Sequence, residues 1–319
     1  MNHLRSRTFQ SLRLSLGSAC NLACSYCVGP GGPPRSIGEL NPKDLARLAG
    51  LLYQALDLKK IRFTGGEPLL GNRLELLIEH LGPLDGLDLG LTTNGQLLKD
   101  KLGLLRRSGI TRINVSLDSL KPERFARMTQ GGKLEKTLEG IQAALDQGFC
   151  LKLNMVPQKG LNEDEIAPML QFALERGMEL RYIELMRMGH LSQEENFRKL
   201  FFPLAEILQT LKKDWDFTPE PRAWGSTAGT YQVESGGRFG VIANESAPFC
   251  SHCDRLRLSP KGELVGCLSS EKRYDLKPLL EMEPKEALAR LPQILQLAMA
   301  EKREFKFAGS GLWMKEVGG

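Results

Sequence analysis

The chain reads as an α/β protein, with parallel strands covered by helices and a smaller domain added after about residue 212. Three observations predict this. Six short β-rich runs alternate with amphipathic helical stretches between Leu12 and about residue 212. Polar and glycine punctuation gathers at or just past the carboxyl ends of those runs. After residue 213 the alternation gives way to turn-rich sequence. Six strands in this order build either a doubly wound sheet or an incomplete (β/α) barrel.

The strand candidates are LRLSL (12–16), KIRFT (60–64), LDLGLTT (87–93), RINVSL (112–117), LKLNMV (151–156) and ELRYIEL (179–185). Between the first two lies NPKDLARLAGLLYQAL, where Asn41 can cap a helix and Pro42 fits its first turn. QLLKDKLGLLRRSG, KLEKTLEGIQAALDQG and NEDEIAPMLQFALERG keep the helical period and close at Gly109, Gly148 and Gly177. Thr64-Gly65-Gly66-Glu67-Pro68, Thr92-Thr93-Asn94-Gly95, Ser116-Leu117-Asp118-Ser119 and Asn154 stand at the carboxyl edge of the strands, where parallel α/β architectures bind ligands. Beyond 213, WDFTPEPRAWGSTAGTYQVESGG is turn-rich and FGVIAN is a short strand. A helical stretch near 286–303 precedes the ending FAGSGLWMKEVGG.

At 319 residues, 41% hydrophobic and 25% charged, with mean hydropathy -0.25, the chain can bury a substantial core. Its start has no continuous apolar h-region, and no stretch approaches the roughly 18 apolar residues of a membrane span. A cytosolic, cytoplasmic address is expected, where reduced thiols serve as metal ligands rather than disulfide partners. The net charge of +5 suits a small anion such as a nucleotide phosphate. No long Lys/Arg run points to nucleic acid as a partner.

Six of the 7 cysteines form two triads: Cys20, Cys24 and Cys27, then Cys250, Cys253 and Cys267. The seventh, Cys150, lies in the apolar run FCLKLNMV and is expected to be a buried core thiol. Each triad supplies three thiolates where a closed metal site takes four, so each leaves a position for a small molecule. Cys20-x3-Cys24-x2-Cys27 in a tight loop suits an iron–sulfur cubane; a zinc site completed by a distant ligand is the alternative. Between Cys253 and Cys267, DRLRLSPKGELVG reads as a hairpin turning at Pro260-Lys261-Gly262, which can set Cys267 opposite Cys253. An extended arm places Cys253, Arg255 and Arg257 on one face, two guanidiniums suited to a phosphate chain.

CNLACSYC, with Tyr26 before the third cysteine, and FTGGEPLL at the next strand together resemble the radical S-adenosylmethionine (SAM) superfamily. The resemblance implies a partial (β/α)6 barrel over residues 1–212 and a smaller C-terminal α+β domain over 213–319 carrying a second cluster. It further implies a [4Fe-4S] cluster on Cys20, Cys24 and Cys27 whose open iron binds SAM, with Gly65, Gly66 and Glu67 along the SAM amino group. Over roughly residues 5–319 the chain resembles the GTP 3',8-cyclase family, also called molybdenum cofactor biosynthesis protein A. KKIRFTGGEPLL, RINVSLDSL, GSTAGTYQV and CSHCDRLRLSPKGELVGCL carry that likeness.

That family implies a lyase reaction in which a 5'-deoxyadenosyl radical takes the 3' hydrogen of GTP and the C3' radical closes on C8 of guanine. A second [4Fe-4S] cluster, on Cys250, Cys253 and Cys267, would hold guanine. Arg13, Lys60, Lys152, Arg255 and Arg257 become candidates for triphosphate contacts, Arg62, Thr93 and Ser116 for substrate or SAM, and Asn154 for the SAM side. The terminal Gly318 and Gly319 would reach into the active site. An electron donor such as flavodoxin or ferredoxin and a downstream cyclic pyranopterin monophosphate synthase are the implied partners; a homodimer is compatible with it. SLGSACN, VGPGG, Arg187 and Gly266 depart from the family pattern without removing a metal ligand. They leave room for another radical SAM reaction on a different nucleotide or a peptide. A non-enzymatic, metal-stabilised binding module is the reading from another class.

Overall fold

The computed structural model describes residues 7–29, 37–82 and 86–318. Six parallel strands form its centre: β1 (Ser11–Ser15), β2 (Lys60–Thr64), β3 (Asp88–Thr93), β4 (Arg112–Ser116), β5 (Cys150–Met155) and β6 (Glu179–Ile183). Later in the chain come β7 (Phe217–Pro219), β8 (Gly229–Val233), β9 (Arg238–Ile242), β10 (Arg255–Leu258), β11 (Glu263–Val265) and β12 (Tyr274–Asp275). All twelve join one sheet in the order β12-β11-β10-β1-β2-β3-β4-β5-β6-β9-β8-β7. The C-terminal strands thus extend both edges of the central six, β10 beside β1 and β9 beside β6, both in parallel.

Alternation along each strand divides the sheet into two faces. Leu12, Leu14, Ile61, Phe63, Ile113, Val115, Leu153 and Met155 are fully buried on the outer face, under the helices. The helix Pro42–Leu56 supplies Leu45, Leu48, Ala49 and Leu52 to that layer. Its start is built as its sequence suggests: the Asn41 side chain accepts from the Asp44 amide at 2.9 Å, and proline occupies the first turn. Gly109, Gly148 and Gly177 close their helices with φ of 68, 74 and 66°.

The opposite face lines an interior. Arg13 on β1 and Arg255 and Arg257 on β10 share one cavity with Ile183 on β6 and Ile242 on β9, from the far side of the strand order. The sheet therefore curls round a lumen as a partial (β/α)6 barrel.

Cys150 departs from expectation. Its thiol is exposed, because the outer face of β5 is carried by Leu151, Leu153 and Met155. Cys150 shares the inner parity of Lys152 and Asn154 and sits at the strand's amino end. The hairpin also differs from the simplest expectation. Arg257 pairs with Val265 and Leu258 with Leu264, which centres the turn on Lys261. Continuing that register sets Cys267 level with Arg255 rather than Cys253. The offset is two residues, so parity is kept and Cys267 stays on the same face.

Candidate active site

The first triad lies in the loop after β1. Ala23 and Ser25 amides donate to Thr129 O (3.1 Å) and Met128 O (3.0 Å), and the Cys27 and Val28 amides turn back to Cys24 O (2.9 and 2.8 Å). The loop after β2 runs against it, the Gly66 amide donating to Gly17 O (2.8 Å) and the Glu67 amide to Ala19 O (2.9 Å). Only glycine allows this approach. Gly65 has φ +145, and a Cβ there would stand 2.5 Å from Gly17 O.

Glu67 turns its carboxylate away from the interior. It accepts from Thr93 Oγ1 (2.7 Å) and the Asn94 and Leu69 amides (2.8 and 3.0 Å), so it braces the loop after β3. Burial pushes its carboxyl up to about 7. Asn94 Nδ2 in turn faces Cys20 Sγ at 3.8 Å. Tyr26 donates to Asp118 Oδ2 at 2.9 Å, and Asp118 also accepts from the Val156 amide at 2.8 Å.

A cavity of about 220 Å³ opens over the triad, with Gly65, Gly66, Thr93, Ser116 and Asn154 in its walls. Ser116 and Asn154 are register partners on β4 and β5. Among the described residues nothing hydrogen-bonds the buried Asn154 Oδ1, a geometry that suits a ligand's amine or hydroxyl. Burial pushes the thiols of Cys20, Cys24 and Cys27 up, Cys27 to about 11. Holding them as thiolates therefore takes a cationic partner such as a metal. Among the described residues no three His, Cys, Asp or Glu side chains converge as ligands of a single ion. A cubane asks for no such convergence, since each of its cysteines takes a different iron.

The second triad surrounds a cavity of about 140 Å³. Cys250 opens a single 3-10 turn, Cys253 follows it, and Cys267 ends the returning arm of the hairpin. Burial pushes the Cys253 thiol up, but Lys302 and Arg255 outweigh it and bring it down to about 6. Arg255 stacks on Phe249 at 5.1 Å and leaves Nη2 buried without a hydrogen-bond partner among the described residues. The Arg13 guanidinium is held well below its usual range, first by burial and then by Arg257, Arg255, Arg62 and Arg181. So many cations on one inner surface suit an anionic ligand. The two cavities share Ile183, Met186 and Met314 as walls, so the triads face one continuous interior.

The remaining candidates divide. Arg62 is tied to Asp88 at 2.5 Å and Lys152 to Glu179 at 2.7 Å, in the lumen but outside both cavity linings. Lys60 is exposed at the amino end of β2. Arg257 grips the chain's end, donating to Val317 O at 3.3 Å and to Gly318 O. Gly318 has φ 78 and no room for a Cβ beside Thr64 Cγ2. Gly319 lies outside the described residues.

Sequence reasoning missed Arg181 and Lys302. The period of two in ELRYIEL carries Arg181 to the inner face as the register partner of Asn154, a signal that was readable. Nothing in the sequence links Lys302 to a cysteine.

A model described as the Radical SAM superfamily matches residues 14–173, and one described as Molybdenum Cofactor Synthesis C matches residues 178–307. A GTP 3',8-cyclase of Aquifex aeolicus is 38% identical over 285 residues, 87% of this chain and 88% of its own length. Another from Alkaliphilus oremlandii is 34% identical over 312 residues, 95% of this chain and 93% of its own. The crystal structure of Streptococcus suis SuiB bound to S-adenosylmethionine shares the fold, with TM-score 0.59 and 14% identity. That match covers 84% of this chain and 63% of SuiB. With both family models in tandem and relatives matched nearly end to end, the chain belongs to the GTP 3',8-cyclase family of radical SAM enzymes.

Proposed function

We propose that this chain cyclises GTP to 3',8-cyclo-7,8-dihydro-GTP in molybdenum cofactor biosynthesis, acting as a radical SAM lyase. The observation that carries this is the pair of three-cysteine loops on adjoining cavities, with Arg13, Arg255 and Arg257 around the second. Cys20, Cys24 and Cys27 would hold the [4Fe-4S] cluster that binds SAM, and Cys250, Cys253 and Cys267 the one that meets guanine. The first cluster, when bound, supplies the electron that cleaves SAM reductively to methionine and the 5'-deoxyadenosyl radical.

The chain's own residues do the rest. Ser116 and the orphaned Asn154 Oδ1 orient SAM from β4 and β5. Ile183, Met186 and Met314 keep water from the passage between the cavities. Arg13, Arg255 and Arg257 neutralise the triphosphate, while Arg181, like Arg62 and Lys152, is tied to a carboxylate, Glu179 at 2.7 Å. Gly318, held by Arg257, brings the chain's end to the same place.

The division at residues 212 and 213, a cytoplasmic address, a flavodoxin or ferredoxin donor and transfer of product to cyclic pyranopterin monophosphate synthase belong to the same proposal. Their support is the family membership and, for the division, the loss of β/α alternation. No described helix is long and apolar enough to cross a membrane.

The test is anaerobic. The reconstituted protein receives SAM, dithionite and GTP, ATP or GDP, and mass spectrometry follows deoxyadenosine and nucleotide products. Deoxyadenosine with a cyclised product from GTP alone is expected. SAM cleavage that leaves GTP untouched would overturn the substrate.

A further inference from the structure

Lys302 is a buried lysine, 7% exposed, two residues past the helix Pro284–Ala300. Its Nζ donates to Cys253 Sγ at 3.2 Å and to Arg255 O. Its ammonium stands 5.7 Å from the centroid of the Phe9 ring. Among the described residues no carboxylate pairs with it, whereas the lumen cations Arg62 and Lys152 each have one. A buried ammonium needs an anion, and of the two acceptors its Nζ meets only the Cys253 sulfur can carry a negative charge.

The surroundings hold Lys302 in place. Gly266, just before Cys267, abuts Ala298 O so closely that a Cβ there would overlap it. Ser270 Oγ donates to Glu301 Oε2 at 2.6 Å, and Lys272 pairs with Glu301 at 3.0 Å. The helix end is thereby docked onto the triad loop, and Lys302 points inward from the docked end.

We propose that Lys302 is a positioning residue of the second iron–sulfur site, holding the Cys253 sulfur and raising the reduction potential of the cluster bound there. The inference rests on the reading of the second triad as a cluster site. A four-iron cube on three thiolates is anionic and gains one more negative charge on reduction. A fixed ammonium at one sulfur stabilises the reduced form more than the oxidised one.

The test uses the full-length chain with Cys20, Cys24 and Cys27 replaced by serine, so that only the second site loads. This parent and its Lys302→Met, Lys302→Gln and Lys302→Arg forms are reconstituted anaerobically. Iron and sulfide are counted, thermal melts are compared, and the midpoint potential is read by EPR-monitored titration. The expected result is a more negative potential in the Met and Gln forms at parental iron content, with the Arg form restored toward the parent. If the Met form loses iron while Arg keeps iron and potential, the charge is again what matters. Parental potential in all forms overturns the proposal. So does equal loss of iron in all three variants, which would make Lys302 a packing element. A parent that takes up no iron, or only zinc, overturns the cluster reading itself and this inference with it.

Discussion

Gly66→Ala tests the coupling of the two ligand-bearing loops. A Cβ at position 66 would stand 2.6 Å from both Ser18 O and Ala19 C, and closer still to Ala19 O. These are backbone atoms, which cannot swing aside as a flexible side chain would. Gly66 does not have the positive φ of Gly65, so the effect is steric alone. Relief requires the loops to part, at an overpacking cost of about 1–3 kcal/mol. Parting also loosens the Gly66–Gly17 and Glu67–Ala19 hydrogen bonds, each contributing about 0.5–1.5 kcal/mol. The expected loss is roughly 2–6 kcal/mol. An unfolding entropy of about 2 cal/mol/K per residue converts that into a melting shift of roughly 3–9 °C for a chain of this length. Cluster-free wild type and variant are compared by thermal melting, and iron is counted after reconstitution. The variant should melt lower and lose iron from the first site while keeping the second. A melt within about 1 °C of wild type with full iron would refute the claim that the β2 loop buttresses the first triad.

Other outcomes follow from the same geometry. Because burial raises Glu67 to about 7, its proton is bound more tightly in the folded chain. Its contribution is full below about pH 4.5 and is lost as pH rises through 7; in denaturant titrations of the metal-free protein, wild type should lose up to about 3 kcal/mol of stability relative to Glu67→Gln across that window. Arg255→Ala removes one charge-assisted donor and should weaken GTP binding about ten- to a hundredfold, read by equilibrium titration. Replacing Cys250, Cys253 and Cys267 by alanine should halve the iron, roughly, and leave reductive SAM cleavage measurable without cyclised product.

The six parallel strands were legible because their outer faces are mostly Leu, Ile, Val, Phe or Met at a period of two, with Tyr182 in β6 and Thr93 in β3 keeping the same parity. The same regularity misled at Cys150, where an apolar neighbourhood in sequence hid its inner parity. Both triads announced themselves by spacing, since a cluster loop draws its ligands from a few adjacent residues. Lys302 did not, because its role depends on where a helix end docks, and AEKREFKF by itself reads as an exposed terminus. Pairing of β10 with β1 was equally hidden: parallel neighbours need no turn between them, so nothing local marks their contact.

That pairing has a consequence for how the chain is made. β1 leaves the ribosome about 240 residues ahead of its outer neighbour β10. At about 5–20 residues per second the edge of β1 stays bare for on the order of ten seconds or more. During that interval the unpaired backbone edge of β1 is open to other nascent chains. Slower elongation would lengthen the hazard, and chaperone supply during synthesis should govern soluble yield more than the stability of the finished fold.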